Sequence, residues 1–479
     1  FFKQKTAYEI LTCDWSSDVC SSDLYGRMCL VLGFVFSFSA CKDDDDDKSD
    51  KTTNQWIESA MRSYYLWYEE IPDKKELNFN ADPEDFFYSL LASEDGKTKN
   101  KTRYYYSTIK KKKSVATRSN MGEEPTLGFE FQTWIITGAG YRAVSVLYVL
   151  PGSPAEKKGL RRGDWIHKIN GANVSDGNVS DLLSGKTVVL DVSDHYSNYD
   201  THSVELVPAM VEDDPIFLTK TFQDESTGHK KVGYMVYNHF TSGPDGDKDE
   251  TYNNELRQQF GAFKAEGVEE FVLDLRYNGG GLVTSAQILA ELLAPESALG
   301  NTFCYLQYND IQSKTVTYKL EGAEQNLNLP RLFVLTSNRT ASASEAVING
   351  LRPYYDVYLL GEQTEGKNVG SITLTNDKYD YELHPIVCRI FNVQDQSEYK
   401  DGFSSDWEPD EPNSDYRPIV NHVELGDKEN DVLLKAAIYW IRNGVKPPVT
   451  GFTRSSGLKL MPGYCSLDRK ATNGVQVPF

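Results

Sequence analysis

The chain reads as a multidomain α/β protein, on three observations. Its 479 residues exceed the roughly 250–300 over which one hydrophobic core grows. From residue 230 onward, strand-like runs alternate with runs of helical period, the pattern of βαβ units. The two regions ahead differ from this and from each other: an aromatic-rich helical stretch over 55–120, then a Gly-punctuated strand-rich stretch over 121–210. Hydrophobic residues at 39% and aromatics at 12% suffice for several cores, which excludes wholesale disorder and a polytopic membrane protein. The net charge of -20 repels a phosphate backbone, so nucleic acid is excluded as a partner.

The N-terminal segments come first. Residues 1–24 carry no helical or strand period, and DWSSDVCSSDL back-translates to a string that resembles a sequencing-adapter oligonucleotide read in one frame. They are set apart as adapter-derived. Residues 25–40 place Arg27 ahead of a short apolar run that ends Ser39-Ala40 before Cys41. The run is too short to span a membrane and resembles a bacterial lipoprotein signal peptide, which makes Cys41 the expected lipidation site. Lys42 and Asp43 to Asp47 follow, similar to the surface-export signal of Bacteroidetes lipoproteins. The expected location is therefore the outer membrane, facing the periplasm or the cell surface, with residues 41–54 as tether. Outside these segments the cysteines are Cys304, Cys388 and Cys465, too few for a disulfide framework. HExxH and CxxC are missing, so no metal site is expected.

In the helical stretch, Ile57, Met61, Tyr64, Tyr68 and Ile71 recur at helical spacing up to Pro72, and Asp82-Pro83 opens a second helix through Phe86, Phe87, Leu90 and Leu91. Lys110 to Lys113 read as a solvated edge rather than a nucleic-acid patch. Over 121–210, TLGFEF precedes VSVLYVLPGSPAEKKGLRRGDWIHKINGANV, which resembles a PDZ domain. That resemblance implies a peptide-binding groove in which Leu127, Gly128 and Phe129 receive a carboxylate while the peptide adds as a strand. Residues 211–449 hold the α/β core. VGYMVYNHF, FVLDLR and RLFVLTSN read as strands. Leu256, Phe260 and Phe263 lie on a helix stopped by Gly267, and Ser285–Leu293, Ser344–Leu351 and 432–441 read as further helices. Residues 450–479 are Gly/Ser-rich and give no pattern.

Two strand ends could carry chemistry. DLRYNGGG (274–281) ends in glycines that let backbone N–H groups approach a ligand, or simply make a tight turn. It is a poor phosphate loop, because no Lys-Ser/Thr follows. In TSNRTASASEAVINGL (336–351), Ser342 stands at a strand–turn–helix junction with Glu345 three residues on. Ser-x-x-Glu is a capping-box pattern, and the same junction is where a nucleophile gains exposure and backbone donors. His239 ends a strand and is kept as a reserve base; His384 reads as a core or surface residue. Asp245-x-Asp247-x-Asp249 fails as a calcium loop, with Glu250 where the loop needs Gly.

LDLRYNGGGLV, TASASEAVINGL and GEQTEGKNVG occur in that order behind a PDZ-like region. The combination resembles the carboxy-terminal processing (tail-specific) serine peptidases. The resemblance implies a crotonase-like (ClpP-like) peptidase core and a Ser-Lys dyad, with Ser342 as nucleophile and Lys367 as general base. It also implies an oxyanion hole from Gly280 or Gly281 with Ala343, protein or peptide substrates, and no metal or organic cofactor. Lysine acts as a base only when neutral, so burial must bring its pKa down from about 10.4. A closed pair is expected at about 2.6–3.2 Å. The family often has Gln four residues after the lysine; here Ser371 stands there. Two rivals are a non-catalytic PDZ-containing peptide-binding lipoprotein and acyl-CoA chemistry on the same architecture. Oligomeric state is left open.

Overall fold

The structure, a computed structural model, describes residues 52–99, 102–112, 124–137, 140–198, 200–244, 248–409, 422–448, 459–468 and 475–476. The adapter-derived stretch, the signal peptide, Cys41, Lys113 and Asp245–Asp247 lie outside the described residues, as does most of the tether.

Thr52 caps the first helix, Thr53–Tyr64. Its hydroxyl accepts from Gln55 N at 3.4 Å, while Gln55 Oε1 accepts from Thr52 N at 3.1 Å. The helix stops at Tyr64, and only a 3-10 turn, Tyr68–Glu70, carries the period on toward Pro72. Asp82 caps Pro83–Ser89 by accepting from Glu84 N at 2.9 Å. The helical reading of 55–120 then needs correcting. Lys97–Lys99 and Thr102–Tyr104 form a hairpin, and Thr108–Lys111 pairs antiparallel with Tyr381–His384 of the core. Local pattern missed these strands because the partner that completes the last one lies far along the chain. Ile57, Phe86, Phe87, Tyr106 and Ile109 share one apolar cluster with Leu383 and Ile386, which fastens this region to the core.

In the second region, strands Phe129–Thr137, Tyr141–Val149, Trp165–Ile169, Val188–Ser193 and His202–Leu206 lie in chain order in one antiparallel sheet. Pro154–Lys157 and the 3-10 turn Val179–Leu183 close its core around Phe131, Val146, Ile166 and Leu190. Its outer edge is not open: Lys459–Cys465 pairs antiparallel with Phe129–Thr137.

The third region is built on a five-stranded sheet in the order Ile216–Phe222, Val232–Tyr237, Glu270–Asp274, Arg331–Thr336, Asp356–Gly361. The first strand is antiparallel and the other four parallel. Side chains alternate between two clusters. Met235, Tyr237, Leu273 and Val334 face helices Thr251–Glu266, Val283–Leu293 and Ala343–Leu351. Tyr234, Val236, Val272 and Leu335 face helix Val432–Asn443. Apolar burial on both faces is what a covered parallel sheet demands. The three motifs therefore leave the C-terminal ends of three adjacent strands, after Asp274, Thr336 and Gly361, where open α/β sheets place their sites. A second sheet runs Thr315–Lys319, Thr302–Tyr308, Ile386–Phe391, Val369–Ser371, Val475–Gln476. The stretch 450–479, patternless in sequence, thus holds two paired strands.

Candidate active site

The turn carrying Ser342 is laced to the DLRYNGGG loop. Thr340 Oγ1 donates to Leu275 O at 2.8 Å, Ala341 N to Asn278 O at 3.2 Å and Ser344 Oγ to Asn278 O at 3.1 Å. Ser342 is left at φ 62°, ψ −112°, a conformation that non-glycine residues adopt only when their surroundings hold them there. The Ser342/Glu345 pair has the outline of a capping box. The bond that closes is from Ser342 N to Glu345 Oε2 at 2.9 Å, whereas Ser342 Oγ is buried with no hydrogen-bond partner among the described residues. A buried hydroxyl with no partner costs about 1–3 kcal/mol. The simple capping role would have spent it.

Lys367 is 2% exposed. Its ammonium lies over the Tyr106 ring, 4.8 Å from the centroid. Burial brings its pKa down from 10.5 to about 8, against the pull of Asp95, Glu365 and Glu345, which favour the charged form. Ser342 Oγ and Lys367 Nζ are not hydrogen-bonded, so the expected closed pair is open here. What joins their backbones is Glu345. Its Oε2 accepts from both Ser342 N and Lys367 N (2.9 and 2.8 Å), and its Oε1 from Gly366 N and Thr364 Oγ1 (2.6 Å each). Desolvation pushes this fully buried carboxyl up to about 7, opposed by those four donors.

Gly280 packs against the nucleophile: a Cβ there would lie 2.7 Å from Ser342 Cβ. Its N–H, however, is given to Asn278 Oδ1 at 2.9 Å. As an oxyanion donor Gly280 is thus already engaged, whereas the N–H groups of Gly281, at φ 140°, and of Ala343, the first residue of the nucleophile's helix, meet no acceptor among the described residues. Ser371, in the position of the family glutamine, is buried in Val369–Ser371 with its backbone paired to Ile386. The histidines face elsewhere. His239 Nε2 meets Asp213 O at 2.9 Å, and His384 Nδ1 meets Thr373 Oγ1 at 3.1 Å.

In the PDZ-like region Leu127 and Phe129 are buried, and Gly128, at φ 85°, gives its N–H to Thr126 Oγ1 at 3.1 Å. A Cβ on Gly128 would stand 2.1 Å from Ser153 Cβ, so only glycine lets the loop close on the following helix. The three cysteines among the described residues, Cys304, Cys388 and Cys465, are free and buried. No cluster of three or more His, Cys, Asp or Glu side chains able to hold a metal occurs among the described residues. Sequence reasoning missed Glu345 as the link between the two motifs, although Ser-x-x-Glu was visible. It also missed Tyr104, Tyr106 and Asp95, which wall Lys367 and Glu365 from a distant part of the chain.

Fold and site together define a PDZ-bearing α/β protein with a strained, buried serine joined through Glu345 to the backbone of a buried lysine. Comparison agrees. Residues 231–384 match peptidase family S41, 52–108 the peptidase S41 N-terminal domain and 145–193 a PDZ domain. An S41 protease structure from Bacteroides fragilis NCTC 9343 is similar at 32% identity and TM-score 0.68, over 82% of this chain and 98% of that one. The chain belongs to peptidase family S41. Among curated proteins it is 27% identical to a carboxyl-terminal-processing protease of Picosynechococcus sp. over 53% of this chain. It is 30% identical to the chloroplastic C-terminal processing peptidase of Tetradesmus obliquus over 48% of this chain. These alignments span 60% and 49% of the two relatives' lengths.

Proposed function

We propose that the chain is a serine endopeptidase that cleaves unfolded or flexible proteins near their C-termini. The observation that carries this is the buried Ser342 hydroxyl, without a hydrogen-bond partner among the described residues, on a residue held at positive φ whose backbone N–H shares the Glu345 carboxylate with that of Lys367, a lysine poised near pH 8. Ser342 attacks the scissile carbonyl and neutral Lys367 takes its proton, then returns it to the leaving amine. Gly281 N and Ala343 N receive the oxyanion, each such donor being worth about 3–4 kcal/mol. Water then resolves the acyl-enzyme. No step requires a cofactor. The PDZ domain would gate entry by gripping the substrate's end, and the named relatives that process carboxyl termini support this substrate class. The four parallel strands with helices on both faces favour reading the core as crotonase-like. The sequence over 25–47 supports lipidation at Cys41 and an outer-membrane location; radiolabelled palmitate should enter the wild type and not Cys41→Ser.

The test of the chemistry is digestion of a reduced, alkylated protein. Ser342→Ala and Lys367→Ala should each lose all measurable cleavage, and Ser342 should label with a fluorophosphonate. Cleavage retained by either variant would falsify the dyad, and a wild type that neither cleaves nor labels would favour the binding-only reading.

A further inference from the structure

We propose that the stretch beginning at Lys459 is a ligand of its own peptide track, seated in cis where an extended substrate would have to lie. Two separate pairings carry this. Lys459–Cys465 adds antiparallel to Phe129–Thr137, the strand that leaves the Leu127–Phe129 loop. Its register advances from Thr137 to Gln132, and Ser466 N then donates to Phe131 O at 2.9 Å. The segment therefore runs toward that loop, the direction a peptide takes when it adds to such an edge with its end in the loop. Val475–Gln476 then adds parallel to Val369–Ser371, the strand that begins two residues after Lys367. One stretch of chain occupies the sheet edge of the PDZ domain and a sheet edge beside the candidate base.

The first contact is specific rather than incidental. Gln132 Nε2 donates to Gly463 O and Tyr464 O (3.0 and 3.1 Å), and Thr133 Oγ1 to Tyr464 O (3.0 Å). Phe131 N donates to Ser466 Oγ at 2.8 Å. Cys465 and Leu467 are buried in the cluster that holds Trp134 and helix Val432–Asn443. Gly463 is required by this approach, since a Cβ there would stand 2.5 Å from Thr133 Oγ1. The same Gln132 side chain accepts from the Arg339 guanidinium, three residues before Ser342. Displacing the segment therefore disturbs a group bonded to the nucleophile's turn. A tethered ligand competes at an effective concentration in the millimolar range, so a substrate of micromolar affinity binds appreciably only when the segment is released.

The hydrolytic consequence rests on the peptidase reading; the binding consequence does not, and the experiment separates them. Gly463→Val in the full chain disfavours the docked segment. Ile135→Cys with Met461→Cys, partners in the register, locks it under oxidation. A fluorescein-labelled peptide with the sequence of residues 459–468 is titrated by anisotropy against wild type, Gly463→Val and the lock, oxidised and reduced. Cleavage of a reduced, alkylated protein is followed in parallel. Peptide affinity should rise about tenfold or more in Gly463→Val and fall by as much on oxidising the lock, with cleavage in the same order. Equal affinity in all forms, or failure of the two cysteines to pair, overturns the inference. Ordered affinities without cleavage in any form uphold it and overturn the peptidase reading instead.

Discussion

At the scale of single residues, the site turns on how two charges are held in a place with little water. Glu345 receives four donors drawn from both motifs, so it fixes the backbone of nucleophile and base. Glu345→Gln keeps the shape but offers one acceptor oxygen for two. A misplacement of about 1 Å near the chemistry costs on the order of 100-fold, so kcat should fall about 10- to 100-fold with KM little changed. A variant with wild-type kcat would remove Glu345 from the argument. Glu365 acts through charge. It favours protonated Lys367 and accepts from Tyr104, which glutamine can preserve. Removing that carboxylate should lower the lysine's pKa, so the acidic limb of kcat/KM, expected near pH 8 in the wild type, should move to lower pH in Glu365→Gln. A limb that stays or moves upward would show that Lys367 is not the group titrating.

At the scale of elements, the decisive joints are those that bring strand ends together. Arg276 is fully buried between Asp274 and Asp431, at 2.6 Å from each, and Tyr234 Oη donates to Asp274 at 2.7 Å. Asp431 also caps helix Val432–Asn443 by accepting from Leu433 N and Leu434 N. The triad thus fastens the last long helix to the strand that feeds the glycine loop. Arg276→Ala would strand two carboxylates in the core, a loss of about 3–5 kcal/mol, visible as a lower urea midpoint; an unchanged midpoint would refute this role. Much of this level was legible in sequence. FVLDLR and RLFVLTSN declare buried strands by uninterrupted apolar runs. Gly267 declares a helix end, which the structure closes in the left-handed conformation at φ 78°. The strands after Lys97 and Lys459 were not legible. Lys97–Lys99 and Thr102–Tyr104 are too short to show a period, Thr108–Lys111 and Lys459–Cys465 are completed by partners far along the chain, and Met-Pro-Gly-Tyr has no alternation to betray a strand. The chemistry was likewise visible as three motifs, but not the carboxylate joining them, because a capping partner and a bridging carboxylate look identical as Ser-x-x-Glu.

At the scale of the whole molecule, the base is made by two regions acting at once, the core and the N-terminal region. Lys367 comes from the core, the Tyr106 ring that covers it from the N-terminal region, and Glu345 from the nucleophile's helix. No local stretch of sequence contains that enclosure, which is why the pKa of Lys367 could be required by the chemistry but not read beforehand. The enclosure has a thermodynamic consequence. In the unfolded chain the amine takes its proton near 10.5, and in the folded protein near 8. Stability is therefore undiminished by this group above about pH 10.5, is lost as the pH falls toward 8, and stays lost below. At 1.36 kcal/mol per pKa unit the loss at pH 7 is about 3 kcal/mol. Lys367→Met fills the same space with no charge to desolvate. It should abolish cleavage and raise the melting temperature at pH 7 by several degrees, with the gain shrinking as the pH rises toward 10.5. Melting curves for wild type and Lys367→Met across that range decide the point. Coincident curves at pH 7 would mean that the ammonium is solvated in the native protein and that the two regions do not enclose it.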